Sequence, residues 1–162
     1  MTTAIDYLNR RFDVLAFRGA QPRGDVLLAQ TLFDNNTGGE VCTGVQKLAQ
    51  RWVIEFLTIR GSMPYHMSTR GSDFLLWLRQ GRIRTEFDVR AYFNFAAQQV
   101  KTNLINEETA TMHPEDRFQQ ARLIKLLLAQ DTLELFTEII SLAGDTRQVI
   151  LPIAIAPINL SV

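Results

Sequence analysis

The chain has 162 residues, about one domain, and a chain of that size buries roughly 68–70% of its unfolded surface, enough for a core without disulfide staples. Lys+Arg and Asp+Glu are both 17, giving zero formal net charge, which argues against a protein whose main work is to neutralise nucleic-acid phosphates or anionic lipid. One cysteine, Cys42, and two histidines, His66 and His113, exclude an internal disulfide and a cysteine-rich zinc module and leave little for any metal site.

A reduced, intracellular chain with no cofactor is therefore expected. No apolar run reaches the roughly 18–20 residues needed to span a bilayer, and the N-terminal MTTAIDYLNRRFDV carries acids, unlike a signal peptide. Neither a membrane nor a nucleic acid is expected as partner. Only Lys47, Lys101 and Lys125 are lysines; the other 14 basic residues are arginines. Arginine suits planar, bidentate contacts at interfaces, and genome composition accounts for the bias equally well.

The pattern changes near residue 44 and again near residue 114, dividing one domain into three blocks. Residues 1–43 hold Phe12–Phe17, a turn-rich Arg18–Gly24 and a second apolar run, Val26–Phe33, which read as a hairpin or an extended arm. Six turn-favouring residues, Asp34–Gly39, close this block as a flexible connection. The remainder, 44–162, reads as an α+β domain of three amphipathic helices packed on a small antiparallel β-meander.

From Val45, apolar residues at Leu48, Ala49, Trp52, Val53, Phe56 and Leu57 trace one helix face, with Gly61 as a stop. After Pro64, Ser72 is expected to cap a short helix carrying Phe74, Leu75, Trp77 and Leu78, ended by Gly81. Thr85-Glu86-Phe87-Asp88 has the form of a capping box, opening a longer helix with Val89, Tyr92, Phe93, Ala96, Val100 and Leu104 on one stripe. Residues 121–128, 132–142 and 148–155 then read as strands, separated by turns at Gln130-Asp131 and Gly144-Asp145. Pro152 has no amide to donate, which puts the last strand at a sheet edge. The following tail, Ile153–Val162, carries no charged side chain, so it is expected to dock on its own body or on a partner.

No catalytic constellation stands out. Cys42 with His66 or His113 is the sole Cys/His combination and lacks flanking residues that would activate a thiol. His66 lies in the loop Pro64-Tyr65-His66-Met67, where an ordinary hydrogen-bonded histidine is the simpler reading. Neither Gly-x-Ser-x-Gly nor a phosphate loop occurs. Glu55, Asp73, Glu86, Asp88, Glu107, Glu108, Glu115 and Asp116 offer many carboxylate pairs without singling out the two a glycosidase needs. Arg79, Arg82 and Arg84 with Trp77 imitate a phosphate or single-strand contact, but Glu86 and Asp88 follow at once and neutralise much of the charge.

From residue 44 onward, about two-thirds of the chain, the order of features is similar to one family. Leu48-Ala49-Gln50-Arg51-Trp52 leads into Phe56-Leu57-Thr58-x-x-Gly61-Ser62, then Pro64, Gly71-Ser72-x-Phe74-Leu75 and the long helix from Thr85. Glu115-Asp116-Arg117 stands just before Phe118 and three strands. This order resembles the baseplate wedge subunit of contractile-tailed phages, the lysozyme-like baseplate family shared with type VI secretion baseplates. Two positions depart from it: Ser62 stands where a glutamate is common, and Asp116 replaces the proline of a Glu-Pro-Arg triplet.

The resemblance implies a non-enzymatic virion component of the tail baseplate, assembled in the host cytoplasm. Such a subunit joins the wedge core to the first sheath ring and nucleates sheath assembly by strand addition. The implied partners are other wedge proteins and the tail sheath protein, with the tail tube or hub as a further contact. An edge strand at 148–155 suits that role, since unpaired amides and carbonyls give direction while alternating side chains set register. The partner-facing residues expected on this basis are Gln148, Ile150, Pro152 and Ile153. Glu115 and Arg117 are expected either as a charge pair for a partner or as an internal ion pair capping the first strand. The rival functions are a tail terminator or head–tail connector and a peptidoglycan-cleaving glycosidase.

Overall fold

The computed structural model describes residues 13–14, 33–34, 37–38, 41–62, 69–129 and 132–155. Four two-residue strands come first: β1 (Asp13–Val14), β2 (Phe33–Asp34), β3 (Thr37–Gly38) and β4 (Val41–Cys42). Asp13–Val14 pairs with Val41–Cys42, and the rest of the expected hairpin or extended arm, residues 1–12 and 15–32, lies outside the described residues. One expectation is corrected here. Part of the expected flexible connection is paired, because Phe33–Asp34 lies antiparallel to Thr37–Gly38, with the two-residue separation that suits a tight hairpin.

Helix α1 (Gly44–Leu57) buries Leu48, Ala49, Trp52, Val53 and Phe56, the stripe its periodicity predicts. It stops before the expected Gly61. Thr58 turns extended (φ −81°, ψ 124°), its hydroxyl donates to the Ile54 carbonyl, and Ile59 then forms a parallel bridge with Ser72. Gly71, beside that bridge, has φ +96°, and a Cβ there would sit 2.4 Å from the Thr58 carbonyl oxygen. Only glycine fits so close an approach.

Asp73 is the N-cap position of helix α2 (Phe74–Arg79) but makes no side-chain cap bond; the Ser72 hydroxyl accepts from the Phe74 amide at 3.3 Å. Ser72 is fully buried, and its hydroxyl donates to the Phe56 carbonyl at 2.6 Å, joining α2 to the end of α1. Gly81 follows α2 with φ +66°, as a helix-ending glycine should. Helix α3 (Glu86–Asn106) opens on the predicted box: the Asp88 amide donates to the Thr85 hydroxyl at 3.1 Å, and the Asp88 carboxylate accepts from the Thr85 amide at 2.9 Å.

A 3-10 turn (Pro114–Asp116) leads into the sheet of β5 (Phe118–Ala129), β6 (Thr132–Ser141) and β7 (Thr146–Ala154), antiparallel in the order β5-β6-β7. This is the α+β arrangement the sequence predicts, with the first and third strands starting a few residues earlier. Leu133, Leu135, Ile139, Leu151 and Ile153 face the helices. Helix α1 lies on β6 and β7, and α3 on β5. At the centre, Trp52 stacks on Phe56 (4.7 Å, 19°), and Phe56 meets Phe74 and Phe93 at 5.0 and 5.2 Å. The expected docking of the tail beyond Ile155, and His66, lie outside the described residues.

Candidate functional site: the sheet edge and the turn before it

Among the described residues strand β7 hydrogen-bonds to β6 alone, so Pro152 sits on an outer strand of this sheet, opposite Glu134. The β6–β7 register runs without a bulge from Thr132↔Ala154 to Ile140↔Thr146. An edge proline is tolerated where its nitrogen points away from the ladder. Backbone direction alternates along an antiparallel strand, so Gln148, Ile150 and Ala154 share that outward orientation, while Val149, Leu151 and Ile153 address β6. The side chains divide by the same parity. Gln148 and Pro152 are exposed and Ile150 is half-buried, whereas Leu151 and Ile153 are buried.

Ile153 is therefore a correction: at 7% exposure its side chain belongs to the core, and its backbone faces Leu133. The other three expected residues fall on the open face of the sheet. Gln148 lies opposite Glu138, which in turn faces Arg122 on β5. Ile150 lies opposite Phe136, whose ring carries the Lys125 ammonium 5.8 Å from its centroid. Opposite charges and an aromatic beside a β-branched residue are both favourable cross-strand neighbours.

The Glu115-Asp116-Arg117 turn has three different attachments. Arg117 Nε donates to Glu108 Oε2 at 3.3 Å, and Glu108 Oε1 accepts from the Phe118 amide at 2.5 Å, so an internal ion pair does cap the first strand, with Glu108 as the acid. The Glu115 carboxylate lies against Gly44, where an added Cβ would stand 3.2 Å from Oε2. Asp116 is the buried one of the three. Its Oδ1 accepts from the Gly44 amide at 2.9 Å and stands 3.9 Å from Lys47 Nζ.

Helix α1 has no acid in its first turn, and its N-cap Thr43 makes no side-chain cap bond. Two carboxylates from a turn more than seventy positions later meet that positive helix end instead, which satisfies an orphan amide and complements the helix dipole. Sequence reasoning missed this, since nothing local to Gly44 or Asp116 announces the pairing.

Glu55, first of the carboxylates in the sequence inventory, has a role that the sequence did not single out. Buried on α1, it accepts from the Gly71 amide at 2.8 Å and pairs with Arg70, which also bonds Glu107; Glu107 pairs in turn with Arg51. The remaining carboxylates of the sequence inventory are engaged as well: Asp73 with Gln99, Glu86 with Arg90, and Asp88 in its cap. Hydrogen bonds from the Arg84 amide and then from Thr85 hold the Asp88 carboxyl below its ordinary range. Burial foremost, then the nearby Asp13 carboxylate, pushes the Cys42 thiol up, opposite to what a reactive cysteine needs.

Among the described residues no group of three or more His, Cys, Asp or Glu side chains is placed to hold a metal, and no helix is long and apolar enough to cross a membrane. Compared with protein-family models, curated proteins and solved structures, the chain matches none.

Proposed function

We propose that the protein is a structural subunit of a contractile-tail baseplate wedge, and that the outer edge of β7 receives an extended segment of the sheath protein as an added strand. The observation that supports this reading most directly is the β7 edge, nine residues long and unpaired among the described residues, on a three-stranded sheet backed by helices. Its outward backbone groups at Gln148, Ile150 and Ala154 supply direction, the carbonyl of Pro152 adds an acceptor, and the exposed side chains of those same alternate positions set register. The missing amide at Pro152 costs the added strand one bond and restrains indiscriminate pairing. The Glu115-Asp116-Arg117 turn works mainly inward in this reading, fixing the start of α1 and of β5 so that the sheet holds its angle to the helices.

The test is pull-down of the purified chain against the tail-sheath and wedge proteins of the same source. Removing β7 entirely would strip Leu151 and Ile153 from the core, so the blocking change belongs at outward positions. Gln148→Pro and Ile150→Pro delete outward amides while leaving the β6 ladder intact. Sheath capture by the native chain, lost in both folded proline variants, is the expected result. A folded native chain that captures neither sheath nor wedge protein sinks the proposal.

A further inference from the structure

On the β7 side the helical layer is wider than the sheet beneath it. Helix α1 covers β6 and β7, while α2 packs chiefly on α1 and α3 rather than on a strand. Between α2, the end of α1 and the last residues of β7 runs a groove of about 460 Å³. Its helical wall is Leu57, Leu75, Leu78 and Arg79, its strand wall is residues 152–155, and among the described residues nothing from β5 or β6 lines it. The groove therefore follows the outer flank of β7, away from β6. Leu57 and Leu75 pack against the core yet are only half-buried, apolar side chains that the three strands do not finish covering. Beside them Ile153 and Ile155 are buried on the helix side.

An extended strand is the one occupant that completes both the edge and the groove. The outward backbone groups of β7 are unpaired among the described residues, and a helix or a small apolar molecule in the groove would leave them so. Residues directly across from each other in an antiparallel pair share a face. On a strand added to β7, the residues opposite Ile153 and Ile155 therefore turn toward the helices and land over Leu57 and Leu75, and the one between them turns to the open face with Ala154. Ladder bonds are much the same for any sequence, so discrimination between segments falls to the side chains that enter the groove.

We propose that this groove is the specificity pocket for the strand that β7 receives, taking two apolar side chains at alternate positions, opposite Ile153 and Ile155, of an extended sheath segment. The proposal rests on the strand-addition reading above and adds which side chains of the partner are read, and where. Arg79, exposed at the groove's end, makes a lysine or arginine at either position unfavourable.

Overlapping peptides of about twelve residues spanning the sheath protein of the same source, tested for binding to the full chain, decide it. The expected binder loses about tenfold or more in affinity when either of two apolar residues two positions apart becomes serine, and little when the residue between them does. Leu57→Gln and Leu75→Gln in the full chain, each with native circular dichroism, weaken the unchanged peptide similarly, and chain and peptide changes combined are not additive, because they break one contact. The peptide changes leave the chain untouched, so they decide the matter even where a chain variant misfolds. A bound peptide without an alternating apolar pair, or one held equally well by both folded glutamine variants, overturns the pocket and leaves strand addition standing. No bound peptide overturns the pocket too, and if whole sheath protein is not captured either, the strand-addition reading falls with it. Binding seen only after Ile158→Ser, Leu160→Ser and Val162→Ser are made together also overturns the proposal, since the chain's own tail is then what fills the groove.

Discussion

Replacing Asp116 by alanine should be among the most damaging single changes outside the aromatic core. The carboxylate is 2% exposed and accepts from the Gly44 amide at 2.9 Å, and losing a bond to a charged group costs about 1.5–3 kcal/mol. Its charge at the start of α1 adds about 0.3–1 kcal/mol through the helix dipole. Lys47, 7% exposed and 3.9 Å away, loses part of its compensation; the full cost of breaking a buried pair is about 3–5 kcal/mol, but this contact is longer than a hydrogen bond and Lys47 has further interactions. Together these put Asp116→Ala at about 3–5 kcal/mol. Asp116→Asn keeps an acceptor for Gly44 and should cost about 1–2 kcal/mol. Urea unfolding followed by circular dichroism reads this directly: with a slope of about 2 kcal/mol per molar, the alanine variant moves the midpoint down by roughly 2 M. Lys47→Met in the Asp116→Ala background should recover part of the loss. A cost below about 1 kcal/mol for Asp116→Ala refutes the assignment of Asp116 as the cap of α1.

Thr137 is fully buried on the inner face of β6, and its hydroxyl has no hydrogen-bond partner among the described residues. Thr137→Val keeps the shape and removes the unpaired group, so stability should rise by about 1 kcal/mol in the same urea assay; a fall of that size means the hydroxyl is bonded in solution. Asp88 gives a pH signature. Its carboxyl is held low in the folded chain, so its contribution is complete above the unfolded value of about 3.9 and disappears as pH falls through the lower, folded one. The stability difference between the native chain and Asp88→Asn should therefore be constant from pH 7 to about 5 and shrink below pH 4. A difference that does not narrow on acidification contradicts this.

The helical layer was legible because its signals are local. Apolar spacing marked the faces of α1 and α3, and Thr85 with Asp88 marked an N-terminus three residues apart. Gly144-Asp145 marked the last hairpin turn, and Pro152 the outer strand. What escaped was set by partners distant in sequence. Thr58 leaves the helix early because Ile59 pairs with Ser72, and Asp13–Val14 pairs with Val41–Cys42, more than twenty-five positions away. At the sheet edge the error was one of parity: Ile153 shares its face with Leu151, so the alternation that exposes Gln148 and Pro152 was bound to bury it.

The cap on α1 also governs the order in which the chain can become native. Fourteen residues of helix are marginal alone in water, and this one acquires a partner for its first amide only when a residue 72 positions further on arrives. Emerging from a ribosome, α1 waits through the making of α2, α3 and the 3-10 turn, and the loop that must close is longer than that of either sheet hairpin. The helical layer consequently cannot be separated from the sheet by a cut before Asp116, and a fragment ending there should leave α1 frayed at its start. Helices and strands in this chain mature as one cooperative unit, with closure of the turn at Asp116 as the step that commits both.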